Sequence, residues 1–315
     1  MALIKPDMEE IRRFVYRNAR PLDLARWQYH MEGYSAEPVI KALAAYQNAD
    51  GGFGSALEAD CWNPPSAPIQ CGTAVNILWE IGFQDKEHAV VKGLLRYLQS
   101  REHFVQGRWE NAIPSNNDFP HAPWWHTDSS SRARSEFNPT AILAGFLLYF
   151  IPAGTAEHDR AIALAQELCA AFLENPEIEM HPLACVFTLL QWMQKAGCQH
   201  DFPYSEMEKK ALHQANALLH KDAESWGGYS CRPSFFIDSP SHPLYQGHKD
   251  LVEKELDWLC ETRNSEGVWS IPWRWAGYER EFAISENWWK SDVMLRNVQF
   301  LRAFGRINEQ EGGAL

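Results

Sequence analysis

Two carboxyl groups, those of Glu58 and Asp60, stand in a loop beside Trp62, soon after the tight run Gly51-Gly-Phe-Gly54. Burial among apolar groups and a neighbouring like charge both raise the pKa of a carboxyl group. A pair in such a site can therefore hold one proton at neutral pH. The protonated member can donate that proton to an alkene, an epoxide or a glycosidic oxygen. We interpret Asp60 and Glu58 as candidate catalytic acids and Trp62 as a substrate-binding residue.

A structural role for the same acids is the alternative. Asp60 precedes the turn Asn63-Pro64-Pro65 and would cap it through its side chain. Glu58 would then pair with a nearby arginine. The two interpretations differ in whether the loop faces a substrate.

A second group of candidate residues follows His121 within eight positions of the chain, and consists of Trp124, Trp125, His126 and Asp128. Imidazole and carboxylate are good metal ligands, but this spacing matches no common zinc pattern. We expect the loop to line a cavity, with its histidines bonded to backbone carbonyl groups, and we expect no metal and no cofactor.

A third group, Arg232, Asp238, His242 and Tyr245, lies in a proline-rich loop. An arginine there could hold a phosphate or carboxylate as a two-pronged donor. Asp238 is a third candidate acid. An ion pair between Arg232 and Asp238 that pins the loop is the structural alternative.

Four tryptophans near the end of the chain, Trp273, Trp275, Trp288 and Trp289, are candidate substrate-binding residues. Trp273 and Trp275 share one face if their segment is extended. Such rings could stabilise a carbocation through cation–π contact or stack on sugars. They could also be structural repeat aromatics, but the chain has 14 tryptophans, which favours an aromatic cavity.

Composition excludes several functional classes. The 315 residues carry 29 Lys and Arg against 41 Asp and Glu, a net charge of -12, which argues against nucleic acid as a partner. We expect no signal peptide, because the first residues lack an apolar h-region, and no membrane span, because no apolar run is long enough. Seven cysteines without a CxxC pair indicate reduced thiols, so we expect a cytoplasmic protein. The oligomeric state stays open.

Helical periodicity dominates the chain and predicts an all-α fold. Long connections, rich in Gly, Pro, Asn and Trp, separate some of these helices and suggest functional loops. The predicted helices cover residues 7–18, 21–32, 36–47, 68–81, 85–99, 137–150, 156–173, 181–196, 205–220, 248–262 and 287–305.

Four of the loops begin alike, with a polar break, one or two glycines and then an aromatic residue: Phe53, Trp109, Tyr229 or Trp269. Glycine permits the positive φ that ends a helix, and we expect the ring to cover the exposed helix end. A degenerate repeat fits at residues 174–178. Such a period predicts stacked helical hairpins. We predict one domain over residues 1–315, an α/α toroid with its loops around a central cavity.

These motifs resemble a known superfamily. The stretch Gln47–Gly54 and the unit Gln99…Gly107-Arg-Trp109 are similar to the QW-type repeats of terpenoid cyclases and protein prenyltransferase β subunits, which are α/α toroids. The run Cys71–Gly82 resembles one repeat of the prenyltransferases. Most of the chain is similar to small uncharacterised bacterial proteins that carry such repeats.

The resemblance transfers activity only in part. Arg232 and Asp238 fall on a diphosphate-binding arginine and a zinc-binding aspartate of the prenyltransferases. Phe235 stands at the family's lysine position and Pro240 at its cysteine, so the zinc site is incomplete and protein prenylation is disfavoured. The DxDD motif of class II terpene cyclases and the DDxxD motif of class I synthases are both missing.

Three functions therefore stay open. The favoured one is a metal-independent, proton-initiated cyclase or isomerase that acts on a small, apolar, isoprenoid-like ligand, with Asp60, Glu58 or Asp238 as the acid. The second is a non-catalytic toroid that binds a ligand or partner. The third is a carbohydrate-active enzyme, which needs two carboxyl groups across an open cleft.

Overall fold

The structure is a computed structural model that describes residues 1–128, 136–175 and 177–308. Helices dominate these residues, which confirms the prediction of an all-α chain. Pro176, in the degenerate repeat expected at 174–178, lies outside the described residues. The α-helices are α1 (Lys5–Asn18), α2 (Pro21–Glu32), α3 (Glu37–Ala44), α4 (Pro68–Glu80), α5 (Ala89–Ser100), α6 (Thr140–Phe150), α7 (Ala156–Glu174), α8 (Met180–Ala196), α9 (Tyr204–Leu218), α10 (Lys249–Glu261) and α11 (Glu279–Ala303).

Within the described residues, four two-residue strands accompany the helices. Strands β1 (Leu3–Ile4) and β4 (Ile307–Asn308) pair in parallel. Strands β2 (Phe104–Val105) and β3 (Arg108–Trp109) pair antiparallel. The strands are too short to form a sheet that carries a core, so helix packing stabilises the fold.

The largest error in the predicted helix boundaries concerns α11, which begins at Glu279 rather than at 287. The side chains that α11 buries include Ser285, Ser291 and Asp292. Polar residues on the buried face interrupt the apolar periodicity, so the sequence pattern shows only the second part of the helix.

The contacts group the chain into two compact units. Unit 1 comprises Met1–Ala42, Leu218–Arg274 and the chain from Glu279 onwards. Unit 2 comprises Leu43–Ala217 and Trp275–Tyr278. The prediction of one closed toroidal domain over residues 1–315 stays a prediction.

Helix α6 is the centre of unit 2, where it packs against α4, α7 and α8. Every residue of α6 except Tyr149 is buried. The absence of a side chain at Gly145 allows close approach, because a Cβ there would lie 2.7 Å from the indole of Trp192. Helix α5 differs, since it buries one stripe that includes Leu94 and Leu98. Helix α6 is therefore apolar almost all round, whereas α5 is amphipathic.

In unit 1, helices α1, α2 and α11 pack together, and a chain of buried charges runs from α2 to α11. Arg20 Nε contacts Asp23 at 2.6 Å, and Arg26 Nη1 contacts Asp23 at 3.2 Å. The same Arg26 nitrogen lies 2.8 Å from Asp292 of α11, which also pairs with Arg296. Alternating signs let the buried charges compensate one another.

The turn after α3 has the conformation that the repeat motif predicts. The backbone N–H of Asn48 donates to Gly52 O at 2.9 Å, and that of Gly51 donates to Asn48 O at 2.9 Å. Gly51 has a φ of 97°. Phe53 is fully buried, as the covering role of this ring requires.

The turn after α10 repeats this arrangement. Asn264 N donates to Val268 O at 2.8 Å, and Gly267 N donates to Asn264 O at 2.9 Å. Gly267 has a φ of 75°. Trp269 is buried, and its indole N–H donates to Leu259 O, a carbonyl near the end of α10, at 2.9 Å. The ring therefore covers the helix end, as predicted.

The other two repeats differ from each other. Gly107 has a φ of 81° and Trp109 is buried, in agreement with the motif. In the third repeat Gly228 has a φ of -107°, and Tyr229 is 67% exposed. The prediction that Tyr229 covers a helix end is wrong. Trp226 is the buried ring here, because the chain forms a short 3-10 turn instead of a glycine-led reversal.

We expect Gly51→Ala to lower the free energy of unfolding far more than Gly33→Ala. Both glycines have positive φ, which costs an alanine about 1–2 kcal/mol. A Cβ on Gly51 would also lie 2.0 Å from Gly93 O, whereas a Cβ on Gly33 would meet no atom within 4 Å. Urea unfolding followed by circular dichroism measures both losses. Equal losses would show that close approach at Gly51 is unimportant.

We expect Asp292 to make stability depend on acidity. Burial by itself raises the pKa of Asp292, but the positive charges of Arg296 and Arg26 outweigh burial and lower it from 3.8 to about 2. The carboxylate therefore stabilises the fold fully above about pH 4, and this contribution, about 2 kcal/mol, is lost as pH falls through about 2.

The variant Asp292→Asn lacks this carboxylate. Its urea midpoint is expected to lie below that of the native chain at neutral pH and to approach it towards pH 2. Asp222→Asn, at an exposed position, is the control. A constant difference between Asp292→Asn and the native chain at all pH values would contradict the ion-pair explanation.

Candidate functional site

The loop that carries the candidate acids is reversed by two non-glycine residues in the left-handed region. Ser55 has a φ of 57° and Ala56 a φ of 63°. Ser55 N donates to Asn63 O at 2.8 Å and Leu57 N donates to Gly54 O at 3.3 Å, which closes the loop on itself. Residues with side chains adopt this region only when their surroundings impose it, often at functional sites.

Gln70 holds the loop from α4. Its Oε1 accepts from Glu58 N at 3.1 Å, and its Nε2 donates to Cys61 O and Asn63 O at 3.2 and 3.1 Å. Gln70 is fully buried. The sequence analysis missed this residue, although an amide within an otherwise apolar helix start was a usable signal.

The two acids differ in their roles. Glu58 Oε2 accepts from Asp60 N at 3.0 Å, so the side chain of Glu58 holds the backbone of the loop. Asp60 is 2% exposed, and its Oδ1 accepts from Trp275 Nε1 at 2.7 Å. The rings of Trp275 and Trp62 pack edge to face, with centroids 6.5 Å apart. A buried carboxyl group thus lies beside two indole rings in unit 2.

The loop that carries His121 and His126 (the histidine loop) lies directly against the loop that carries Glu58 and Asp60 (the acid loop). Ala122 N donates to Asp60 O at 2.8 Å, and Trp62 N donates to Pro120 O at 2.9 Å. Cys61 and His121 therefore face each other in an antiparallel bridge. This pairing brings together two loops that the sequence analysis had treated as separate candidates.

His121 and His126 form a hydrogen-bonded pair. His121 Nδ1 lies 2.6 Å from Phe119 O, which can only accept, so this nitrogen carries a proton. In the neutral pair His121 Nε2 is then the acceptor of a proton on His126 Nδ1, at 3.2 Å. His126 Nε2 is left as a proton acceptor on an exposed residue. The ring of Tyr278, which has a φ of 56°, lies 5.8 Å from that of His121.

The other residues of this loop divide by exposure. Trp125 is 9% exposed, and its carbonyl oxygen accepts from Asn116 at 3.0 Å. The indole N–H of Trp125 is buried without a partner. Trp124 and Asp128 are exposed. Exposure leaves Trp124 able to contact a ligand or partner from solvent.

The group around Arg232 belongs to unit 1, and its partner differs from the expected one. Arg232 Nε lies 3.4 Å from Glu255 of α10, so the expected pair with Asp238 is replaced by a pair with Glu255. The guanidinium carbon lies 5.0 Å from the ring centre of Trp258. Glu255 also accepts from Ser234 N and Oγ at 2.7 and 2.5 Å.

Glu255 is a buried acid that the sequence analysis missed. Burial raises its pKa, while Arg232 and the two bonds from Ser234 act in the opposite direction. It occupies the same face of α10 as Val252 and Leu259, which are also buried. A glutamate on the apolar face of a predicted helix was the available signal.

The remaining members of this group are more exposed. Asp238 is exposed and accepts from Ser239 Oγ at 3.0 Å. Burial lowers the pKa of His242, an effect that the negative charge of Asp238 opposes. Tyr245 packs against Phe304, with ring centroids 5.2 Å apart. An exposed carboxylate such as Asp238 is a weaker candidate acid than Asp60.

The tryptophans near the chain end do not act as one set. Trp273 packs edge to face against Trp289 at 5.3 Å in unit 1, and the indole N–H groups of both are buried without a partner. Trp288 lies 5.3 Å from the guanidinium carbon of Arg20. Trp275 contacts Asp60 in unit 2, whereas Trp273 contacts Trp289 in unit 1. They contact different partners because the chain passes from one unit to the other between them.

The described residues contain no group of three or more His, Cys, Asp and Glu arranged to hold a metal ion. The cysteines are buried, and burial, reinforced by the charge of Glu58, raises the pKa of Cys61 to about 12. Cys61 is therefore a protonated thiol at neutral pH and a weak nucleophile. None of the helices in the described chain is both long and apolar enough to cross a membrane.

Comparison with models of known protein families, with curated proteins and with solved structures finds no match for this chain.

We expect Trp275→Phe to destabilise the chain by about 1–3 kcal/mol, because it keeps an aromatic ring but removes a donor from a buried carboxyl group. Trp269→Phe is the matched control, since it removes an indole N–H that donates to a backbone carbonyl group away from the candidate site. Chemical unfolding measures both, and a smaller loss is expected for the control. A loss at Trp275 no larger than that at Trp269 would argue against an important bond to Asp60.

Proposed function

We propose that this chain is an enzyme of the terpenoid-cyclase type that acts on an isoprenoid-like substrate by proton transfer from Asp60. The single observation that supports it is the surroundings of Asp60, a 2% exposed carboxyl group 2.7 Å from the indole N–H of Trp275. Trp62 packs edge to face against that indole. An acid and two aromatic rings in one place are what a proton-initiated carbocation reaction requires.

The arrangement suits the two stages of such a reaction. Exclusion of water favours the neutral form of a carboxyl group, which is the form that can donate. The bond from Trp275 orients the carboxyl group of Asp60 through Oδ1, and the transferred proton is the one that this carboxyl group carries. When that proton adds to an alkene or epoxide, the positive charge that develops on carbon is stabilised by the electron-rich faces of Trp62 and Trp275.

Glu58 and Gln70 are positioning residues in this proposal. Glu58 accepts from the backbone of Asp60, and Gln70 holds the backbone of Glu58. Together they fix the acid loop in its left-handed conformation, with Asp60 towards Trp275. A fixed acid needs little reorganisation when the proton moves, and this is a large part of electrostatic catalysis.

The toroid is part of the same proposal. It is supported in unit 2 by the packing of apolar α6 against α4 and α8, and by the single apolar stripe of α5. It is further supported by the shared turn geometry at Gly51 and Gly267. Arg232 is committed to Glu255 and Trp258, which favours a structural role over diphosphate binding for this arginine.

The test combines binding and turnover. Geranyl to geranylgeranyl diphosphates, the corresponding alcohols, squalene-like hydrocarbons and common oligosaccharides are screened by thermal unfolding, with a chelator present throughout. A ligand at a hundredfold excess over its dissociation constant adds about 2.7 kcal/mol. Ligands that stabilise the chain are then incubated with it, and hydrocarbon products are identified by gas chromatography and mass spectrometry.

We expect Asp60→Asn to abolish product formation while the stabilising ligand still binds, because the amide cannot supply the proton. Asp238→Asn, at the exposed acid, is expected to keep turnover. Turnover that survives in Asp60→Asn but not in Asp238→Asn would transfer the role of acid to Asp238. Stabilisation by oligosaccharides alone would favour a carbohydrate-active enzyme, and isoprenoid binding without any product would favour a binding module.

A further inference from the structure

Lys195, in the last turn of α8, holds its ammonium group among three aromatic rings of unit 2. The nitrogen lies 5.0 Å from the ring centre of Trp79. It lies 5.2 Å from the ring centres of both Tyr149 and Trp192. A single cation–π contact is common on protein surfaces, but three around one ammonium group form a cage.

The three rings also pack against one another. Trp79 and Trp192 have centroids 4.7 Å apart and planes at 70°. Tyr149 and Trp192 have centroids 5.4 Å apart and planes at 40°. Trp192 is fully buried and is itself packed against Phe146 and Phe150. The cage therefore does not depend on Lys195 for its shape.

The cage lies where helix ends also favour positive charge. Trp79 is close to the end of α4, Tyr149 to the end of α6, and Lys195 to the end of α8. The carbonyl groups at a helix C-terminus carry partial negative charge. Three such ends add to the attraction that the ring faces exert on a cation.

A lysine is not the best occupant of this cage. Burial lowers the pKa of Lys195, since its ammonium group loses water there. A primary ammonium is strongly hydrated. A quaternary ammonium is less strongly hydrated, keeps its charge at every pH and presents methyl groups to each ring, and aromatic cages recognise such ligands.

We propose that Trp79, Tyr149 and Trp192 form a binding site for the trimethylammonium group of a small molecule, and that Lys195 is an internal occupant that leaves when this ligand binds. The site is distinct from the one around Asp60. Gln70, which holds the acid loop, and Trp79 stand at opposite ends of α4, about 14 Å apart along its axis. The proposal does not depend on the proposed enzymatic function.

Isothermal titration calorimetry of choline binding to the full chain tests the proposed site. The uncharged carbon analogue of choline, 3,3-dimethyl-1-butanol, is the ligand control. An occupant that blocks a site raises the apparent dissociation constant by the reciprocal of the fraction of time that the site is vacant. Lys195→Met removes the ammonium group but keeps an unbranched chain, so we expect it to bind choline about tenfold more tightly than the native chain.

Lys86→Met is the matched control variant. Lys86 lies 4.7 Å from the ring centre of Tyr149 and donates to Tyr149 O at 2.5 Å, but it is an exposed residue at one wall of the cage. We expect this variant to bind choline as the native chain does. If both variants bound choline more tightly by the same factor, the cause would be the general loss of a positive charge and not the emptying of the cage. That result would overturn the proposal.

Two further variants locate the binding. In the Lys195→Met background, Trp79→Leu is expected to abolish choline binding and Trp79→Phe to weaken it, because phenylalanine keeps a smaller ring face. Circular dichroism confirms that each variant is folded. No heat of choline binding to Lys195→Met, equal binding of the uncharged analogue, or unchanged binding in the folded Trp79→Phe variant would each overturn the proposal.

Discussion

A carboxyl group that leaves water must receive hydrogen-bond donors or a positive charge, and this requirement ties distant parts of the chain together. Asp60 receives the indole N–H of Trp275, 215 positions away. Asp292 accepts a hydrogen bond from the guanidinium group of Arg26, 266 positions away. Glu255 receives Arg232 from the preceding loop. Removing one partner weakens the compensation of a buried charge, so each pair constrains the fold more strongly than its small net stabilisation suggests.

Local sequence signals predicted the local structure well. Apolar periodicity predicted the bounds of α2, Pro21–Glu32, and the turns at Gly51 and Gly267 follow from the glycine-aromatic motif. The same motif failed at Tyr229. The sequence there does not reveal that the buried ring precedes the glycines, because a 3-10 turn replaces the left-handed reversal.

Only the part of the site that is formed by residues close together in sequence could be predicted. Asp60 and Trp62 are neighbours in sequence, so their association with aromatic rings could be expected. The contact with Trp275 could not, because no periodicity links residues so far apart. Arg232 shows the same limit, since its charge is satisfied by Glu255 on α10 and not by Asp238 in its own loop.

The division of the chain also has a consequence for synthesis on the ribosome. The continuous part of unit 2 ends at Ala217, while Trp275 belongs to the same unit. Roughly 60 residues separate the two, which corresponds to several seconds at about 5–20 residues per second. During that interval the acid loop of the nascent chain lacks the indole N–H of Trp275. The segment Met1–Ala42 likewise lacks the parts of unit 1 that are synthesised after Ala217. Chaperones that bind incomplete chains would meet this protein at that stage.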